Sequence, residues 1–147
     1  MSPADVLAAL PHADPFRFVD EILSVDDERI AATVRFRDDA DFYRGHFPGN
    51  PITPGVILIE AMAQAGVVAH GIYLLAGASA GDGGGLLTLF TDAEVEFSGV
   101  VKPGERVRID ARKVFFRHKK LRSQIEMRRA DGTVVCRGTL SGMGVPR

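Results

Sequence analysis

Hydrophobic and polar positions change rhythm twice along the chain. Residues 4–10 carry apolar side chains at helical spacing and stop at Pro11, which predicts a short helix. Residues 16–25 then alternate through Val19, Ile22, Leu23 and Val25 as a strand does. Asp26-Asp27-Glu28 makes a polar turn and residues 29–36 alternate again, so the two segments read as a hairpin. Beyond an acidic connection at 38–41, alternation gives way to an almost unbroken apolar run over residues 56–78. Thr53-Pro54 in front of that run reads as a helix start, with Thr53 as the hydroxyl cap and Pro54 at the first helical position. A glycine-rich connector at 76–85 follows. Alternation returns in strands at 86–97, 106–118, 121–129 and 134–143, with turns at 101–105 and at Asp131-Gly132.

Strands, one long helix and strands again predict an α+β domain, an antiparallel sheet around a central helix. A helix that is apolar on every side is what a sheet-wrapped core helix looks like. The run is also long enough for a membrane span. Glu60, Gln64, His70 and three glycines interrupt it, however, and the rest reads as sheet, so no membrane is expected. The 147 residues suffice for one domain with a real core, and 46% hydrophobic with 25% charged residues is an ordinary soluble composition.

The single cysteine, Cys136, excludes an intrachain disulfide framework and reads as core filler in a reducing compartment. The start M-S-P-A-D-V-L lacks the basic and apolar regions of a signal peptide, so a cytoplasmic location is expected. The glycine-rich connector precedes a strand and has no following G-K-S or G-K-T, which argues against a phosphate loop. The net charge of −1 hides an asymmetry: residues 1–101 hold 5 Lys+Arg and 15 Asp+Glu, and residues 102–147 hold 13 and 4. Such a division can mark an electrostatic partner surface. No stacking-aromatic motif or recognition helix accompanies the basic third, so nucleic acid is not the expected partner.

The chemistry concentrates in residues 44–66, R-G-H-F-P-G-N-P-I-T-P-G-V-I-L-I-E-A-M-A-Q-A-G. This stretch supplies a loop histidine, His46, a bare backbone N–H at Gly55 where a helix begins, and a carboxylate, Glu60, in the second helical turn. Histidine is a competent base near neutral pH. A carboxyl on an apolar helix is pushed towards its protonated form, which suits an acid. A helix N-terminus carries partial positive charge for an oxyanion. Gln64 lies one turn beyond Glu60 on the same face and could orient it. His12, between prolines, reads as structural, bonded to backbone, and His70 as a satisfied core or interface histidine.

His46 with F-P-G-N-P, then P-G-V and E-A-M-A-Q, resembles the signature of the 3-hydroxyacyl-acyl-carrier-protein dehydratases, hotdog-fold enzymes of the FabZ/FabA type. L-P-H-A-D-P-F-R-F-V-D resembles the opening of that family, with Arg17 where an apolar residue is common. The resemblance implies a hotdog fold over nearly the whole chain. It assigns His46 as base, Glu60 as the acid or water-polarising carboxylate, and the Gly55 N–H as holder of the thioester oxygen, with no metal or organic cofactor. Glutamate at position 60, where FabA-type relatives have aspartate, favours plain dehydration over added double-bond isomerisation. Acyl carrier protein is the implied partner, docked on a basic surface drawn from Arg112, Lys113, Arg117, Lys119, Lys120 and Arg122. A homodimer with sites shared between subunits is implied as well, and a trimer of dimers is admitted. The alternatives are a hotdog acyl thioesterase and a non-catalytic acyl-binding subunit.

Overall fold

In the computed structural model, which describes residues 1–78 and 86–146, the chain opens with a short helix, α1 (Pro3–Ala8). Its start is a capping box: the Ser2 hydroxyl accepts from the Asp5 N–H at 3.1 Å and the Asp5 carboxylate accepts from the Ser2 N–H at 2.9 Å. Six antiparallel strands follow: β1 (Glu21–Val25), β2 (Arg29–Arg35), β3 (Leu86–Phe97), β4 (Arg106–Arg117), β5 (Lys120–Arg129) and β6 (Val134–Pro146). They form one sheet in the order β1-β2-β4-β5-β6-β3, which leaves β1 and β3 at its edges. The sheet wraps a central helix, as the sequence pattern predicts.

That helix changes pitch along its length. It runs as α2 (Gly55–Ala63), widens through a π-helical stretch at Gln64–Ala69, and continues as α3 (His70–Ala78). All six π-helical residues are buried. Gly66, among them, lies so close to β4 and β5 that an added Cβ would overlap the Ile125 side chain and sit 2.9 Å from the Ala111 Cβ. Gly55–Gly77 is long and apolar enough to cross a membrane, but most of it is buried under the sheet as the core helix. Leu58, Met62, Ile30, Phe36, Ile109, Met127 and Leu140 fill the space between helix and strands.

Three local predictions are corrected. The helix begins one residue later than Thr53-Pro54 suggests. Pro54 takes the cap position and Gly55 is the first helical residue. The Thr53 hydroxyl pairs with the Tyr43 hydroxyl at 2.6 Å instead of capping. Residues 16–20 do not join β1, because the Gln64 amide occupies the backbone groups of Phe16 and Phe18. Of the connector at 76–85, the first three residues prolong α3 and the remainder lies outside the described residues.

His70 is fully buried, and its Nε2–H donates to the Asp26 carbonyl in the β1–β2 turn at 2.8 Å. Cys136 is also buried, its Sγ 3.4 Å from the Met62 Sδ, and burial pushes its thiol up to about 12. Such a thiol stays protonated and inert.

Candidate active site

One helical turn separates Glu60 from Gln64, which brings their side chains together. Gln64 Nε2 donates to Glu60 Oε2 at 2.8 Å and to the Phe16 carbonyl at 2.8 Å. Its Oε1 accepts from the Phe18 N–H at 2.9 Å. Both amide protons and the carbonyl are thereby used. The buried amide cannot turn without breaking contact with the segment ahead of β1, so it holds the carboxylate in one orientation.

The same segment brings His12 to Glu60, with Nε2 3.8 Å from Oε2. Burial depresses the His12 imidazole below the usual histidine range; Glu60 acts in the opposite direction and Arg17 adds to the depression. His12 Nδ1 is buried and has no partner among the described residues. A cleft of about 50 Å³ adjoins His12 and Glu60, running along the helix past Val67 and Val68 to Thr88 and Phe90 of β3. The expected backbone bond of His12 is corrected here: its ring faces Glu60 instead. No spacing rule ties position 12 to position 60; the link passes through Gln64 and the segment that it anchors. Arg17, the departure from the family's opening pattern, donates from Nη2 to the Leu7 carbonyl at 2.5 Å and ties α1 to this segment.

His46 follows a 3₁₀ turn at Asp41–Arg44. Its N–H donates to the Phe42 carbonyl at 3.0 Å and its carbonyl accepts from the Ile52 N–H at 2.9 Å, which closes the glycine-proline loop on itself. Its Nδ1 lies 2.9 Å from the Ile52 carbonyl. A carbonyl only accepts, so Nδ1 carries the proton and Nε2 presents its lone pair, the tautomer that a base requires. Gly55, as the first helical residue, has an N–H with no intrahelical partner. A Cβ there would lie 3.2 Å from the Phe97 ring, so glycine keeps the approach to that N–H open. Among the described residues no hydrogen bond or ion pair joins His46 to Glu60; each has other partners.

The six basic candidates divide by environment. Lys113 pairs with Glu28, Lys120 and Arg122 both pair with Asp92, and Arg112 donates to Gln124. Arg117 and Lys119 are exposed at the β4–β5 turn and make no ion pair among the described residues, though Arg117 lies over the Phe115 ring. A hollow of about 720 Å³ lies among Arg29, Arg108, Arg112 and Arg137, and none of His46, Gly55 and Glu60 lines it.

A family model described as the FabA-like domain matches residues 10–140. The chain is 44% identical over 115 residues to a 3-hydroxyacyl-acyl-carrier-protein dehydratase FabZ of Rhizorhabdus wittichii, covering 75% of this chain and 70% of that one. It is 34% identical over 141 residues to the FabZ of Caldicellulosiruptor saccharolyticus, covering 92% of each. Among solved structures, a chain of the dehydratase heterocomplex ApeI:P from Xenorhabdus doucetiae superposes with a TM-score of 0.76 at 21% identity, covering 100% of this chain and 93% of that one.

Proposed function

This chain belongs to the family of FabA-like domains, and from that membership we propose that it dehydrates 3-hydroxyacyl thioesters on acyl carrier protein to trans-2-enoyl thioesters. The enzyme is a hydro-lyase of fatty-acid or polyketide-type biosynthesis, working in the cytoplasm. The observation that carries the reading is the carboxylate held by Gln64 on the helix that begins at the bare Gly55 N–H, in a chain whose loop histidine presents a free Nε2.

In the reaction, His46 Nε2 takes the C2 proton and Glu60 gives a proton to the C3 hydroxyl. The C3–O bond breaks, a C2–C3 double bond forms and water leaves. The Gly55 N–H steadies the charge that develops on the thioester oxygen, where a preorganised donor lowers the barrier most. Water is the only by-product and no step calls for a redox partner.

The site is composed between two copies of the chain, His46 of one facing Glu60 of the other. Supporting this is the edge strand β3, which exposes Leu89, Phe90 and Phe97; Phe47 and Val56 are exposed as well. An unpaired apolar edge is what a second copy covers. Carrier protein docks at the β4–β5 turn, where Arg117 and Lys119 remain available.

The test supplies 3-hydroxyacyl- and saturated acyl-carrier substrates. Enoyl absorbance from the first with no free thiol from the second is expected; thiol release alone would make the protein a thioesterase, and neither product a binding subunit. Reversing Arg117 and Lys119 to Glu is expected to raise KM for carrier-bound substrate and spare a small thioester mimic.

A further inference from the structure

Each dehydration leaves Glu60 without the proton that it gave to the departing hydroxyl. On the proposed reading of the site, that proton has to be restored before the next turnover. Gln64 cannot restore it, since an amide N–H is not acidic and its groups are fully engaged. We propose that His12 reloads Glu60: its Nε2 accepts a proton from solvent and passes it to Glu60 Oε2.

The geometry restricts the route. His12 Nδ1 is buried without a partner among the described residues, so the ring exchanges protons through Nε2, and Nε2 is the atom that faces Glu60 at 3.8 Å. This separation exceeds a hydrogen bond. The ring therefore approaches by about 1 Å to transfer, and the cleft alongside both residues gives it room to do so. The side chains of His12 and Glu60 keep 21% and 18% exposure, enough to meet water and too little to be permanently solvated.

Burial is the main influence that disfavours the imidazolium. Arg17 opposes it from the segment ahead of β1 and Glu60 favours it from the helix. Gln64 is neutral, and the residues lining the cleft from β3 and β6, Thr88, Phe90 and Gly142, do not titrate. Once Glu60 becomes a carboxylate, attraction to it favours proton uptake on His12; once Glu60 is reprotonated, Arg17 and burial drive His12 back to neutral. The balance closes: one proton enters from solvent through His12, and the C2 proton leaves to solvent from His46. His12 touches no substrate in this scheme. It is a positioning and reloading residue.

The test uses full-length protein in two arms. In the first, the His12 ring is titrated by NMR in wild type and in Glu60→Gln. Coupling predicts a lower midpoint in the variant, and an unchanged midpoint overturns the pairing whether or not the protein is a dehydratase. In the second, His12→Gln and His12→Ala are assayed on the 3-hydroxyacyl substrate. Turnover is expected to fall on the order of tenfold, below the roughly 10²–10⁴-fold of a positioned acid or base itself. KM is expected to hold, and kcat of the alanine variant to rise with added imidazole. Unchanged kcat in folded variants, or a loss that imidazole does not restore, overturns the reloading role. Absence of turnover in wild type overturns the dehydratase reading instead and leaves the titration to decide the pairing.

Discussion

At the scale of single residues, the three partly or fully buried histidines of this chain differ in what their nitrogens meet. His46 and His70 each donate to a carbonyl, His46 through Nδ1 and His70 through Nε2, while His12 faces a carboxylate. His46→Ala and Glu60→Gln are each expected to stay folded and lose roughly 10²–10⁴-fold in turnover, measured by enoyl absorbance. A variant that keeps near-normal turnover would sink the role given to that residue. His70 yields a prediction about stability. Burial holds its imidazole below the usual range, against weaker opposite pulls from the Asp26 carbonyl and carboxylate and from Glu28, while Lys113 adds to the depression. Protonation would also add an Nδ1–H with no acceptor among the described residues. Below the unfolded pKa of about 6.5 the unfolded chain binds a proton that folded His70 refuses. Stability is therefore complete above that pH and lost as pH falls, by at most about 1.4 kcal/mol per pH unit for this group. His70→Gln should flatten the difference between urea midpoints at pH 7.5 and 5.5; an equal slope in both proteins would rule the group out.

At the scale of elements, the π-helical stretch Gln64–Ala69 does two things at once. It carries Gln64, whose amide organises the segment from Phe16 to Phe18, and it carries Gly66, whose missing side chain lets helix and sheet meet. Gly66→Ala should cost about 1–3 kcal/mol, because the new methyl has to displace Ile125 and press on Ala111. Gly77→Ala is the control on the same helix. Among the described residues nothing lies within 4 Å of its Cβ, so alanine should be neutral or gain up to about 1 kcal/mol from reduced backbone freedom. Urea unfolding of the two variants checks both signs, and a Gly66→Ala protein as stable as wild type would show that the sheet yields there.

At the scale of the whole molecule, the proposed second copy is tested by mixing subunits, since among the described residues no hydrogen bond or ion pair joins His46 to Glu60. Mixing His46→Ala with Glu60→Gln subunits after unfolding and refolding should rebuild one intact site in each mixed dimer. Half of a statistical population is mixed, so activity should return to about a quarter of wild type. A mixture as inactive as its parents, with subunit exchange demonstrated, would place both groups in one chain.

The sequence by itself determined the fold class, because alternation with period two and one all-apolar helix admit few arrangements other than a sheet around that helix. It singled out the candidate stretch as well, since His46, Gly55 and Glu60 lie close together in the chain and need no distant partner to be noticed. Only the tertiary structure decided where residues 16–20 go, because backbone groups expected in a strand bond to the Gln64 side chain 46 and 48 residues away. The same long-range contact decided the place of His12, which Gln64 brings to Glu60 by anchoring the chain just beyond it. Spacing along a chain records periodic local structure; it holds no record of which side chain will satisfy a distant backbone group once the core has closed.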